Sequence, residues 1–212
     1  MKKSTLLPIL TLAALPAFSQ DQSLSLLATH IYTQTYSYSG TDFSTGNPTD
    51  LGLRYGRTLA TFPKLGGARL DLEGTIVKAC GKPTISFGGV SQPGVTYTHE
   101  YMALGASATW TKVVDFGAAV ELRHETSTIN LPDAYAHMMG VAEASYSTTR
   151  FRPWATARVG YTYPSGSIKP FVTLEYSLPL TTVDSPSNPN GFQAGGLKGP
   201  KANLTFTMGG RF

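Results

Sequence analysis

Four consecutive residues, His124, Glu125, Thr126 and Ser127, bring together an imidazole, a carboxylate and two hydroxyls, the groups that acyl transfer through an alcohol nucleophile requires. They close a segment, 116–127, in which apolar and polar residues alternate. In an extended strand successive side chains leave on opposite faces. His124 then shares a face with Thr126, while Ser127 lies on the other. A threonine nucleophile would need His124 as its base and a third group to orient that base. The set reads as the polar end of a strand entering a loop.

Other chemistry is sparse. His30, His99 and His137 are far apart in the sequence and read as rim positions rather than metal ligands. Glu121 and Glu125 share a strand face, as the carboxylates of a glycosidase would, but arginines of matching register make a charge network the better reading. No phosphate-binding loop, dinucleotide fingerprint, zinc motif or nucleophile elbow is present, and Gly66-Gly67 and Gly195-Gly196 read as turns. Cys80 is the one cysteine, which excludes an intramolecular disulfide and a cysteine-based zinc cluster. The expectation is a protein that is not an enzyme and holds no cofactor.

The elements that must position these residues begin after residue 19. Lys2 and Lys3, the apolar stretch Leu6 to Phe18, and the small residues Ala17 and Ser19 form the pattern of a cleaved secretory signal. That divides the chain into a signal, 1–19, and one domain, 20–212. Counting 17 basic and 13 acidic residues, the formal charge of +4 falls to +2 once Lys2 and Lys3 are removed, 15 against 13. No basic run interleaved with aromatics is present, so nucleic acid is not expected as a partner.

Beyond the signal, segments of ten to fifteen residues follow one another between clusters of Gly, Pro, Ser, Asn and Asp: 24–38, 49–61, 68–79, 97–111, 116–127, 138–148, 154–163, 170–182 and 201–212. Most alternate cleanly. Leu204, Phe206 and Met208 fall on one face of the last segment against Asn203, Thr205 and Thr207. The split recurs with Phe116, Val120 and Leu122 against Glu121, Arg123 and Glu125, and with Val172, Leu174 and Tyr176 against Thr173 and Glu175. The charges are sorted by it. With the apolar faces outermost, Arg54, Arg69, Arg123, Arg158 and Arg211 share the interior with Asp71, Glu73, Glu121, Glu125, Glu143 and Glu175. No lysine joins them. Arginine's planar fork holds two carboxylates in a confined space, whereas lysines favour aqueous rims. Near-balance of charge inside is what a narrow closed barrel needs, because an unpaired buried charge costs several kcal/mol. Trp110, Phe116, Tyr146, Tyr161, Tyr163 and Phe212 sit near strand ends on the apolar face, where a membrane-interface girdle would lie.

The expected fold is therefore an all-β, closed antiparallel transmembrane barrel. Nine segments is an odd number, and single-chain bacterial barrels have an even one. Segment 24–38 has the weakest alternation and reads as an arm or plug, which leaves eight strands; a hidden strand in 82–90 gives ten. Eight is the expectation. Long connections at 39–48, 80–96 and 128–137 alternate with short ones at 62–67 and 112–115, but long 183–200 breaks the phase.

The terminal strand Ala202 to Phe212 with its aromatic end, and the stretch Phe151-Arg152-Pro153-Trp154 to Arg158-Val159-Gly160-Tyr161, resemble the small outer-membrane barrel superfamily typified by the OmpA transmembrane domain and its eight-stranded relatives. The resemblance implies that Phe206, Met208 and Phe212 form the signal read by the barrel-assembly machinery. The small lipid A deacylases among eight-stranded barrels set a His and a Ser two residues apart on one strand face; Thr126 at that position and Ser127 on the opposite face depart from this. The expected protein is an integral barrel of the bacterial outer membrane, embedded in its lipid, with a structural or surface-interaction role and an extracellular ligand contacted through the long loops. A narrow solute pore is the alternative, and a lipid-modifying enzyme a third reading.

Overall fold

The computed structural model describes residues 21–32, 35–38, 41–45, 47–80, 84–87, 90–111, 113–130, 145–164, 166–181 and 200–212. Their strands are β1 (Gln22–Tyr32), β2 (Thr35–Tyr38), β3 (Thr41–Thr45), β4 (Thr49–Phe62), β5 (Ala68–Lys78), β6 (Thr84–Phe87), β7 (Val90–Thr111), β8 (Asp115–Asn130), β9 (Ser145–Thr162), β10 (Lys169–Pro179) and β11 (Ala202–Arg211). Eight of them close a ring in the order β7-β5-β4-β1-β11-β10-β9-β8, with β8 pairing back to β7. All the pairings are antiparallel. β1 and β11, the first and last described strands, join over ten residue pairs, from Ser23 with Arg211 to Tyr32 with Ala202. The three short strands β2, β3 and β6 lie outside the ring and extend β7 sideways.

Closure leaves no unpaired ladder edge in the ring, which is the condition for backbone amides to survive in hydrocarbon. The outward faces meet the other condition. Leu26, Leu53, Leu104, Val120, Leu122, Leu174, Phe206 and Met208 are all about half exposed, and they form a continuous apolar belt around the ring. From Val172 to Leu180, one residue past β10, the belt spans eight residue steps, roughly 26 Å at the usual strand rise, shortened to about 20 Å by the tilt usual in barrels. An apolar surface this extensive is not stable in water.

Segment 24–38 is a correction. Its first part is the full barrel strand β1, with Leu24, Leu26 and Tyr32 exposed and Ser25, Leu27, Thr29 and Ile31 buried inside. Leu27 and Ile31 on the inner face, and His30 on the outer one, are what blurred the pattern. His30 sits at the belt's edge, where its Nδ1 bonds the Thr49 hydroxyl at 3.1 Å. The tentative strand in 82–90 exists as β6, but it pairs with β3 and the extension of β7 and adds nothing to the ring.

The ninth segment came from cutting one strand in two. Residues 145–148 and 154–162 both belong to β9, which pairs with β8 without a break from Asn130 with Ser145 to Asp115 with Gly160. Pro153 suggested a boundary there. Its carbonyl accepts from the Leu180 amide at 2.8 Å, so its ring nitrogen also faces the β10 side, just past the last β9–β10 pair, Trp154 with Pro179. A missing N–H is tolerated where a ladder ends. With β9 continuous, the connection between β10 and β11 falls back into phase. The strand ends that the long connections join all lie at one end of the barrel, and the short turns lie at the other, with Asp21 and Phe212.

Small residues set the close approaches. The β4–β5 turn is a single 3-10 turn, Pro63–Leu65, ended by Gly66 at φ 71°, a left-handed conformation that glycine adopts without strain. Gly105 faces the lumen from β7, where a Cβ would lie 2.8 Å from Glu121 Cγ, so its hydrogen makes room for that carboxylate. A β-bulge between Thr58 and Ala60 turns Leu59 outward.

The two tryptophans lie on opposite sides of the wall: Trp110 is 43 % exposed on the belt and Trp154 is 0 % exposed in the lumen. Lipids with brominated chains are expected to quench Trp110 emission and spare Trp154. Trp110→Phe should abolish the quenching and Trp154→Phe preserve it; equal quenching in both variants would reverse the assignment of inside and outside.

Candidate functional site

The alternation that builds the belt sends every second side chain inward, and the inner faces of β4, β5, β8, β9 and β10 bring charged groups to one level. Arg54 on β4 reaches across to Glu175 on β10, with Nη1 donating to Oε1 at 2.6 Å and Nη2 to Oε2 at 3.0 Å. Arg158 on β9 makes the matching crossing to Glu73 on β5, with both contacts at 2.7 Å. The two forks are themselves linked, Arg158 to Glu175 at 3.3 Å and Arg54 to Glu73 at 3.7 Å. Glu121 on β8 lies 3.6 and 3.5 Å from the two guanidinium groups. Hydroxyls complete the level: Thr75 accepts from Arg54 Nε, while Ser107 and Thr207 donate to Glu73 and Glu175.

Toward the long connections, Arg123 supplies the charge that balances Glu121, donating from Nε to Oε2 at 2.9 Å. Its guanidinium is sandwiched between Tyr101 and Trp154, 4.4 and 4.2 Å from the ring centres. Such stacking stabilises a cation that has left water. Trp154 Nε1 donates to Glu125 Oε1 at 2.5 Å, and Arg152 and Arg150 approach the other oxygen at 3.3 and 3.5 Å. Above them His99 Nδ1 meets the Ser127 hydroxyl at 3.0 Å, with the Tyr97 hydroxyl 3.3 Å from the same oxygen. Toward the short turns, Asp71 accepts from Arg69 Nε and from Thr58, Thr162 donates to Asp115, and Arg211 donates to Thr162 while lying over Phe171.

Of the residues assigned to the lumen from sequence, Arg54, Arg69, Asp71, Glu73, Glu121, Arg123, Glu125, Arg158, Glu175 and Arg211 all lie there. Glu143 lies outside the described residues, as do His137 and the side chain of Tyr146. Sequence reading missed Arg150, Arg152, Trp154, Asp50 and Asp115. The first three were legible: stepping back by twos from Arg158 along β9 reaches each of them, and only the false break at Pro153 hid it. With them, seven inward arginines (54, 69, 123, 150, 152, 158, 211) face seven inward carboxylates (50, 71, 73, 115, 121, 125, 175) among the described residues. Phe206, Met208 and Phe212 stand on the outer face, about half exposed.

The four-residue set at 124–127 is pulled apart by the strand. His124 stacks on Phe151 outside, with centroids 4.7 Å apart, and Thr126 bonds Thr149 beside it. Ser127 and Glu125 point inward. The imidazole that Ser127 does meet is that of His99, but the two are 1 % and 0 % exposed. A base beside an alcohol can activate it only for a substrate that arrives, and both are enclosed.

Between the forks, among the described residues, lies a cavity of about 40 Å³ lined by Arg54, Glu73, Arg158, Glu175 and their neighbours. That is room for about three waters. At the level of the crossed arginine forks the described side chains fill the cross-section of the lumen.

No family model matches the chain, and no curated protein matches it. Among solved structures it is similar to Neisserial surface protein A, NspA, at 10% identity and a TM-score of 0.46, covering 91% of this chain and 98% of that one. It is also similar to Ail, the attachment invasion locus protein of Yersinia pestis, at 10% identity and a TM-score of 0.46, covering 92% of this chain and 100% of that one. A second Ail structure, in complex with the heparin analogue sucrose octasulfate, matches at 10% identity and a TM-score of 0.45 over the same shares. The ring closure, the outward belt and the paired interior together make this chain an all-β protein whose fold is a closed, eight-stranded antiparallel transmembrane barrel.

Proposed function

We propose that the protein is an integral barrel of the bacterial outer membrane that does not conduct solutes and acts through the end carrying its long connections. The closed lumen supports this reading most directly: the forks joining Arg54 to Glu175 and Arg158 to Glu73 leave a void of about 40 Å³ at their level. Export through the segment 1–19, residence in outer-membrane lipid, and insertion by the barrel-assembly machinery through Phe206, Met208 and Phe212 belong to the same proposal.

The sheet continues past the belt at the long-connection end. β7, β8 and β9 remain paired beyond Met102, His124 and Phe151, and β6, β3 and β2 widen the projection. Its outward side chains there include Thr98, Thr126, Thr128, Ser147 and Thr149, hydroxyls suited to an aqueous, hydrogen-bonding surface. A rigid projection that displays loops is a common base for recognition.

The test is conductance in planar bilayers, with heat-modifiable gel mobility as the sign of a folded barrel. Folded protein is expected to give no discrete steps. Steps of uniform size that vanish on unfolding would replace this reading with the narrow-pore alternative.

A further inference from the structure

At the end where the short turns lie, the barrel mouth holds a second cavity, about 390 Å³, within the size range of small-molecule pockets. Three basic side chains line it, Arg69, Lys169 and Arg211, against one acidic side chain, Asp21, and the carboxyl-terminal Phe212. Lys169 on β10 stands directly opposite Arg211 on β11. Like charges in that position destabilise a sheet. Among the described residues, neither has a carboxylate within salt-bridge distance. Arg211 donates one bond, to Thr162, and lies over Phe171 at 4.9 Å. Arg69 uses Nε on Asp71, but its Nη2 is buried without a hydrogen-bond partner. A buried guanidinium nitrogen left unpaired is costly, and an incoming oxyanion would remove that cost.

The other wall is apolar. Val113, at 81 % the most exposed large apolar residue among those described, lines the cavity, and the outward-facing Tyr161 and Phe212 stand at its rim. Arg69 and Arg211 also line the small cavity in the lumen, so they form the floor that separates the mouth from the closed interior.

We propose that this mouth is a binding site for a small organic anion, a carboxylate or phosphate monoester joined to an apolar group. The oxyanion sits on Arg69 Nη2, Arg211 and Lys169, and the apolar group lies against Val113. The site needs only the closed barrel and does not depend on what the opposite end contacts.

The test uses the folded protein in nanodiscs of zwitterionic phosphatidylcholine, titrated by calorimetry with phenyl phosphate, inorganic phosphate and, as a cationic control, benzylamine. Phenyl phosphate is expected to bind saturably, inorganic phosphate several-fold more weakly, and benzylamine not at all. Lys169→Gln, at an exposed position, should weaken phenyl phosphate, and Arg69→Gln with Arg211→Gln should weaken it about tenfold or more. Val113→Asp should weaken phenyl phosphate more than inorganic phosphate. Gel mobility before and after heating verifies that each variant is folded. The proposal is overturned if no saturable binding occurs up to about 10 mM, if folded Lys169→Gln and the double arginine variant both bind as the native protein does, or if phosphate and phenyl phosphate bind equally.

Discussion

Replacing Glu175 by Gln is expected to lower the unfolding free energy by about 3–5 kcal/mol, the cost of leaving a buried charge without its partner. Glu175 accepts both nitrogens of Arg54, lies 3.3 Å from Arg158, and is 2 % exposed. Glutamine keeps the shape and one acceptor but removes the charge, so Arg54 and Arg158 must share Glu73 and Glu121. The double change Arg54→Met with Glu175→Leu removes both charges and should recover most of the loss, since well-packed apolar replacements of buried ion pairs are often close to neutral. Urea unfolding of vesicle-inserted protein, followed by tryptophan emission, measures both variants, and the cycle gives the coupling. A loss below about 1 kcal/mol for Glu175→Gln would mean that water reaches the central level and that the lumen is not closed by this network.

The belt makes the second strong prediction, because only hydrocarbon penalises charge according to depth. Leu174 stands between Val159 and Phe206 on the outer face, midway along β10. Leu174→Arg is expected to cost about 2–4 kcal/mol, the range for arginine at a bilayer midplane. Thr126→Arg, on the outer face of β8 beyond the belt, should cost no more than about 1 kcal/mol. In water the two exposed positions would respond alike. Equal costs would therefore show that the belt does not meet lipid, and would remove the physical ground for placing this chain in a membrane.

The sequence by itself determined the class of fold and the sorting of its side chains. Period-two alternation is a local property: whether Leu204 or Thr205 faces a given side follows from strand geometry alone, before any partner is known. The absence of lysine from the middle of the alternating polar faces, and the presence there of Arg54, Arg158, Glu73 and Glu175, pointed to an enclosed interior for the same reason. Strand number was not local. Pro153 looks like a boundary in one dimension and is harmless in three, because its nitrogen faces a place where the neighbouring ladder has ended. Leu27 and Ile31 made β1 look unlike a barrel strand, since a lumen can hold apolar side chains among charged ones.

Only the tertiary structure decided the pairings. That Arg54 meets Glu175, 121 residues away, and Arg158 meets Glu73 depends on ring order and register, which no single strand encodes. The same holds for His99, which finds Ser127 across β7 and β8 while His124, three residues from that serine, faces outward. It holds also for the mouth, where Asp21, Phe212 and residues of three turns converge. Which face a side chain takes is decided by its own strand, and what it touches there is decided by closure of the ring.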